Sequence, residues 1–208
     1  MLSRESVGRW CGVGVVVAAL LTGCGDSNVE KVDRAKTQPG TSAGQMSGSE
    51  TVPAEIAGIA WTVPESWVVS GPRPMRVATY QIGEGAVSAE CAVFYFGLGQ
   101  GGDVQANIDR WIGQFVQPDG SASQAHAQVG AQSVAGLKVT TVGLTGTYAG
   151  GMGGPMSGQQ VEHPGWRLVG AIVEAPQGPV FFKLTGPDAT VTAARADFDR
   201  MMASVKRK

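Results

Sequence analysis

Cysteine is scarce in this chain of 208 residues: there are three, and two of them stand within the first 24 positions. Cys11 lies in an N-terminal apolar run and Cys24 just behind it, so the body of the chain keeps Cys91 alone, which excludes a disulfide within it. Charge is sparse as well, 16% of residues with a formal net charge of -1. That balance offers no field for nucleic acid or for anionic headgroups. The two histidines, His126 and His163, match no metal-ligand spacing. Long hydrophobic runs are missing too. The uncharged run Cys11 to Leu21 reaches about 16 Å as a helix against a bilayer core of roughly 30 Å, which argues against a permanent transmembrane helix. There is no internal repeat and no G-x-S-x-G nucleophile elbow.

What the N-terminus does contain is a signal-peptide layout: Arg4 and Arg9, then the apolar run, then Leu21-Thr22-Gly23-Cys24. These four residues resemble the lipobox of bacterial lipoproteins at every position: aliphatic, small, small, cysteine. The resemblance implies a diacylglyceryl group on the Cys24 thiol, cleavage before it, and an acylated new amino terminus. Two or three chains on one residue anchor stably where a single chain is marginal. The expectation is a leader over residues 1–23 and a domain held outside the cytoplasm by lipid on Cys24, at the cell membrane or the outer membrane. Losing Arg4, Glu5 and Arg9 with the leader leaves a net charge of -2. Residues 25–55 contain no aromatic side chain and are rich in Gly, Ser, Thr and Gln. They read as a flexible linker, which as a coil spans on the order of 30 Å.

From residue 56 to 208 the pattern is that of one globular domain, and core burial alone must stabilise it. Ile59 to Val63 and Trp67 to Val69 read as short strands or a strand and a turn. Arg76 to Ile82 and Glu90 to Phe96 read as a hairpin whose second strand is apolar on both faces, and so central. Val104, Ile108, Trp111, Ile112 and Phe115 recur at helical spacing behind Asp103 as N-cap, with Pro118 and Gly120 as terminators. Ala125 to Val134 and Leu137 to Tyr148 predict a strand pair turning at Gly136. Trp166 to Glu174 and Val180 to Thr185 predict a last hairpin around Pro176 and Pro179. From Thr190 a helix places Val191, Ala194, Phe198, Met201, Met202 and Val205 on one face, with Lys206, Arg207 and Lys208 suited to its C-terminal dipole. Antiparallel strands interrupted by one helix and closed by another predict an α+β domain with a mostly antiparallel sheet. This order, with tryptophans near the first strand and a long helix after the third, resembles the PsbP-like fold over residues 56–208, which implies an αβα sandwich. Members of that fold include extrinsic subunits of photosystem II, a nuclear import factor that binds a small GTPase, and mycobacterial lipoproteins. The resemblance implies a non-enzymatic binding or assembly role, with no family binding residue matched at a position here.

Among the residues that carry chemistry, Gly97, Gly99 and Gly102 fit G-x-G-x-x-G between a strand and a helix. The next segment, Ala125 to Val134, lacks the apolar run of a buried parallel strand, so a plain glycine-rich connection accounts for the match. The weaker reading is a loop whose amides hold an anion. Met152, Met156, Glu162 and His163 could offer soft ligands to copper, but a mobile loop and a His163-Pro164-Gly165 turn explain them better. Ser157 has no positioned base, and Glu65, Glu84, Glu90, Glu162 and Glu174 are scattered. Cys91 reads as a small buried hydrophobe. Trp61, Trp67 and Trp166 are either core or an exposed aromatic patch. No catalytic residue, cofactor or metal is assigned. The chain reads as a lipid-anchored envelope protein with a binding or accessory role toward an envelope protein or small ligand. The alternative is an envelope enzyme whose site forms only in three dimensions.

Overall fold

A computed structural model describes residues 54–150 and 161–208. The expected lipobox at Leu21 to Cys24, the expected linker up to residue 53, and Met152, Met156 and Ser157 lie outside the described residues. The described residues open with β1 (Glu55–Ile56) and β2 (Ile59–Ala60), joined by Ala57 and Gly58, both at positive φ. A two-residue turn of that hand matches the twist of the strands it joins. After β3 (Val68–Val69) come β4 (Ala78–Ile82) and β5 (Ala89–Tyr95), then α1 (Val104–Ile112) and β6 (Phe115–Val116). Two hairpins follow, β7 (Gln128–Val134) with β8 (Leu137–Tyr148) and β9 (His163–Ala175) with β10 (Gly178–Pro187). The chain closes with α2 (Asp188–Ala203) and β11 (Lys206–Arg207).

Eight of the described strands form one antiparallel sheet in the order β3-β4-β5-β10-β9-β8, with β6 and β7 both on β8. The other three, β1, β2 and β11, form a small second sheet. Side chains alternate across a strand, so each face of the large sheet can be read from sequence parity. On β10, Val180, Phe182 and Leu184 face one way and meet Cys91 and Val93 of β5, Val169, Ala171 and Val173 of β9, and Val191, Ala194, Phe198 and Met201 of α2. Phe181 faces the other way, with Leu168, Ile172, Val142 and Leu144, and meets Ile108, Trp111 and Ile112 of α1. The helices therefore cover opposite faces, and the domain is an αβα sandwich of the α+β class. Among the described residues no helix is long and apolar enough to cross a membrane.

Several sequence expectations are corrected in detail. Helix α1 stops at Gly113, ahead of Pro118, because Phe115 and Val116 leave the helix to pair with Tyr148 and Thr147. Phe115 keeps its place in the core below the helix. Lys206 and Arg207 do not serve the α2 dipole, since their backbone pairs with Ala60 and Ile59. His163-Pro164-Gly165 is not a turn but the start of β9, where His163 pairs with Tyr148 across a register shift. Trp61 and Trp67 are only 5% exposed, so they are core and no surface patch. Trp61 Nε1 donates to Tyr80 Oη at 3.0 Å, and its ring meets Phe182 edge-on at 5.1 Å. Cys91 is a free, fully buried thiol, and burial pushes its pKa up.

Candidate functional site

Helix α1 has nine residues and packs on β8, β9 and part of β10, with Phe94 of β5 at its margin. Over β4, most of β5 and the second half of β10, none of the described helices covers this face. A cleft of about 720 Å3 opens there. Parity again decides what points into it. Glu90, Ala92, Phe94 and Phe96 of the β5 strand and its exit alternate with the buried Cys91 and Val93, and Lys183 and Thr185 alternate with Phe182 and Leu184.

Lys183 stands on the floor of this cleft. In register it is flanked by Ala92 on β5 and Gly170 on β9, the two smallest neighbours a strand can supply. Its ammonium donates to Gln114 Oε1 at 2.5 Å and to Tyr148 Oη at 3.2 Å, and lies 5.1 Å from the centre of the Tyr148 ring. All three partners are neutral. Burial, with Arg110 and Arg76 repelling it and Glu90 pulling the other way, holds the Lys183 ammonium down at about 7. Burial likewise raises the pKa of the Tyr148 phenol.

One wall is aromatic. Tyr148 and Trp166 stack at 5.5 Å with an interplanar angle of 4°, and His163 stacks on Trp166 at 4.2 Å. These three come from the end of β8 and the start of β9, so the register shift there is what aligns them. The opposite wall is charged: Arg73 donates to Glu90 Oε2 at 2.9 Å and Arg76 to Glu90 Oε1 at 2.6 Å, with Arg76 also over the Phe94 ring. A smaller recess of about 180 Å3, bordered by Phe94, Phe96, Trp111 and Phe181, opens beside the cleft and shares Lys183 with it.

The glycine loop that carries Gly97, Gly99 and Gly102 connects β5 to α1, with all three at positive φ. The amides at the start of α1 already have an acceptor: Asp103 Oδ1 takes Gln105 N at 2.8 Å and Ala106 N at 3.2 Å. An external anion there would meet that carboxylate. A Cβ on Gly101 would come within 3.0 Å of the Phe181 ring, so the loop is glycine-rich partly because it packs close to the core. Glu162 is exposed and His163 belongs to the aromatic wall; among the described residues no group of three His, Cys, Asp or Glu gathers as a metal site.

A serine and a histidine do meet elsewhere. Ser121 Oγ lies 2.7 Å from His126 Nε2, but it also lies 2.6 Å from Asp119 Oδ1. A hydroxyl has one hydrogen, so the carboxylate competes with the imidazole for it instead of orienting the imidazole from behind, as nucleophilic catalysis requires. The hydrogen bonds from Ser121 lower the Asp119 pKa, which marks an exposed turn.

Sequence reasoning missed Lys183, Arg73, Arg76 and Gln114. A signal for Lys183 was present: a lysine inside Val180-Phe181-Phe182-Lys183-Leu184 puts a charge into an otherwise continuous apolar strand. Arg73 and Gln114 carried none, because both lie outside the regular elements.

No protein-family model matches the chain, and no curated protein matches it. Among solved structures it is similar to the cyanobacterial PsbP protein, CyanoP, of Synechocystis sp. PCC 6803, at 12% identity and a TM-score of 0.43, over 73% of this chain and 88% of that one. It is also similar to a Pseudomonas aeruginosa protein of unknown function, at 9% identity and a TM-score of 0.39, over 70% and 94% of the two chains. At that level of likeness neither protein's role transfers to this chain, and what the chain does has to be read from its own cleft.

Proposed function

We propose that this chain is a lipoprotein of the bacterial envelope, anchored through Cys24, whose domain is a binding module that works by holding a small ligand in the α1-face cleft. The observation that carries the reading is the cleft itself. Its volume lies within the range of small-molecule sites, one wall is aromatic and the other charged, and Gln114 and Tyr148 converge on one point, Lys183. Those polar groups are fixed by one another, Glu90 by two arginines and Lys183 by Gln114 and Tyr148, as suits a site that holds its ligand in one orientation. The lipobox at Leu21 to Cys24 supports the anchor.

Native mass spectrometry of the protein extracted from membranes tests both parts. The expected spectrum carries the lipid mass on Cys24 and a second, non-covalent small molecule, which is lost from Thr185→Trp, where an indole fills the cleft. An unmodified Cys24 would remove the anchor. No bound molecule in the natural protein, or the same molecule retained by T185W, would remove the binding site. The second reading, an envelope enzyme, is favoured by one observation, the Lys183 amine held at about 7 and so partly unprotonated at neutral pH. Reduction with borohydride in the presence of a carbonyl compound would trap an imine on Lys183 if that reading holds.

A further inference from the structure

The cleft contains more positive than negative charge. Arg73, Arg76 and Lys183 line it, and Arg110 reaches the adjoining recess, against Glu90 as the one carboxylate among the described lining residues. That carboxylate is already held by Arg73 and Arg76. Among the described residues the Lys183 ammonium hydrogen-bonds a side-chain amide oxygen and a phenol oxygen and meets a ring face, while Glu90 acts on it only through space. A desolvated ammonium with neutral partners is missing a counter-charge, and an anion entering the cleft would supply it. Ala92 leaves lateral room on the β5 side of the lysine stem, the Trp111 ring closes the side over Gly170, and Phe94 and Phe96 continue the floor as apolar surface away from it.

Resting on the reading of this cleft as the binding site, we infer that its ligand is a small organic acid, with a flat or apolar body on Phe94, Phe96 and the Trp166 stack and one carboxylate on the Lys183 ammonium. A single negative charge is favoured over a phosphate dianion because Lys183 is a point charge, Arg73 and Arg76 each already give a guanidinium nitrogen to Glu90, and Arg110 gives one to Asn107 Oδ1. Binding then couples to protonation. The groups facing Lys183 are Arg110 from α1, Arg76 ahead of β4, Glu90 on β5 and Tyr148 on β8, with His163 of β9 in the same cleft. A bound carboxylate outweighs the repulsion from the two arginines and raises the lysine pKa, so the complex takes up a proton above neutral pH.

Calorimetric titration of the full-length protein in detergent tests this with 2-naphthoate and its uncharged isostere 2-naphthamide. At about pH 6.5, where Lys183 is mostly protonated, the acid is expected to bind at least tenfold more tightly than the amide. Lys183→Met should erase that preference. Independently of any variant, the binding heat of the acid at about pH 8 should differ between phosphate and Tris buffers, whose ionisation heats differ, because the complex takes up a proton. Equal binding of acid and amide, unchanged in K183M, would overturn the organic-acid inference and leave the cleft as a binding site. Binding of neither probe would overturn it too, and the native mass spectrum then decides the fate of the cleft separately.

Discussion

The two faces of the large sheet are built from alternate residues of the same strands, yet they end in opposite states. The α2 face is closed: the sixteen-residue helix seals Phe182, Leu184, Val93, Val173 and Ala171 beneath Val191, Phe198 and Met201, and all of these are at most 1% exposed. Among the described residues the α1 face is half closed, because its helix is nine residues long and the strands run on past it. Where the cover stops, the residues change from Ile108, Leu168 and Ile172 to Phe94, Glu90, Lys183 and Thr185. Helix length thus divides the molecule into a face that holds the fold and a face that holds a site. Substitutions should respect that division.

The largest effect is expected on the closed face. Phe182→Ala removes a ring that is fully buried and packed edge-on against Trp61, and should cost about 3–5 kcal/mol in urea unfolding. Phe96→Ala, at a ring 37% exposed on the cleft side, should cost about 1 kcal/mol or less. Equal losses would erase the contrast.

Next comes Lys183. Its folded pKa is lowered from 10.5 to about 7, so the unfolded chain holds the proton to higher pH than the folded one. The ammonium therefore burdens the fold fully below about pH 7, and stability from this group rises from there up to about pH 10.5. K183M should abolish that rise and leave the free protein at least as stable near neutral pH, which melting curves across pH would reveal.

A smaller effect tests the helix cover. A Cβ at Gly170 would stand 2.5 Å from the Trp111 ring, so Gly170→Ala should push α1 outward at a cost of about 1–3 kcal/mol. Quenching of Trp111 fluorescence by iodide would rise with it. Smallest is Asp103→Ala, which uncaps α1 and should lower stability by about 1 kcal/mol, with faster amide exchange at Gln105 and Ala106.

The closed face was legible from sequence and the open one was not, for a physical reason. Val191, Ala194, Phe198 and Met201 repeat at helical spacing, and the apolar residues of β10 repeat at strand spacing. Periodicity of that kind reports burial, and burial is what a helix face and a strand face share. The Asp103 cap was readable too, because capping is a local contact between neighbours in sequence. A cleft has no period. Gln114 and Lys183 meet across 69 positions, and Arg73 and Glu90 meet only because β4 and β5 align in register. The place where α1 stops is also set non-locally, by β6 joining β8, so the sequence suggested a longer helix than the one that forms. Glycines 97, 99 and 102 drew attention as a motif, while the lysine one strand away carried the stronger electrostatic signal.

The most direct test of the account is a nitrogen-15 NMR titration of the lysine side chains in the domain, assigned through K183M, with and without 2-naphthoate. The account predicts that the Lys183 ammonium titrates near 7 in the free protein and moves upward when the acid is present. If Lys183 instead titrates with the ordinary lysines, unmoved by the acid, its ammonium lacks no counter-charge and the organic-acid site is contradicted.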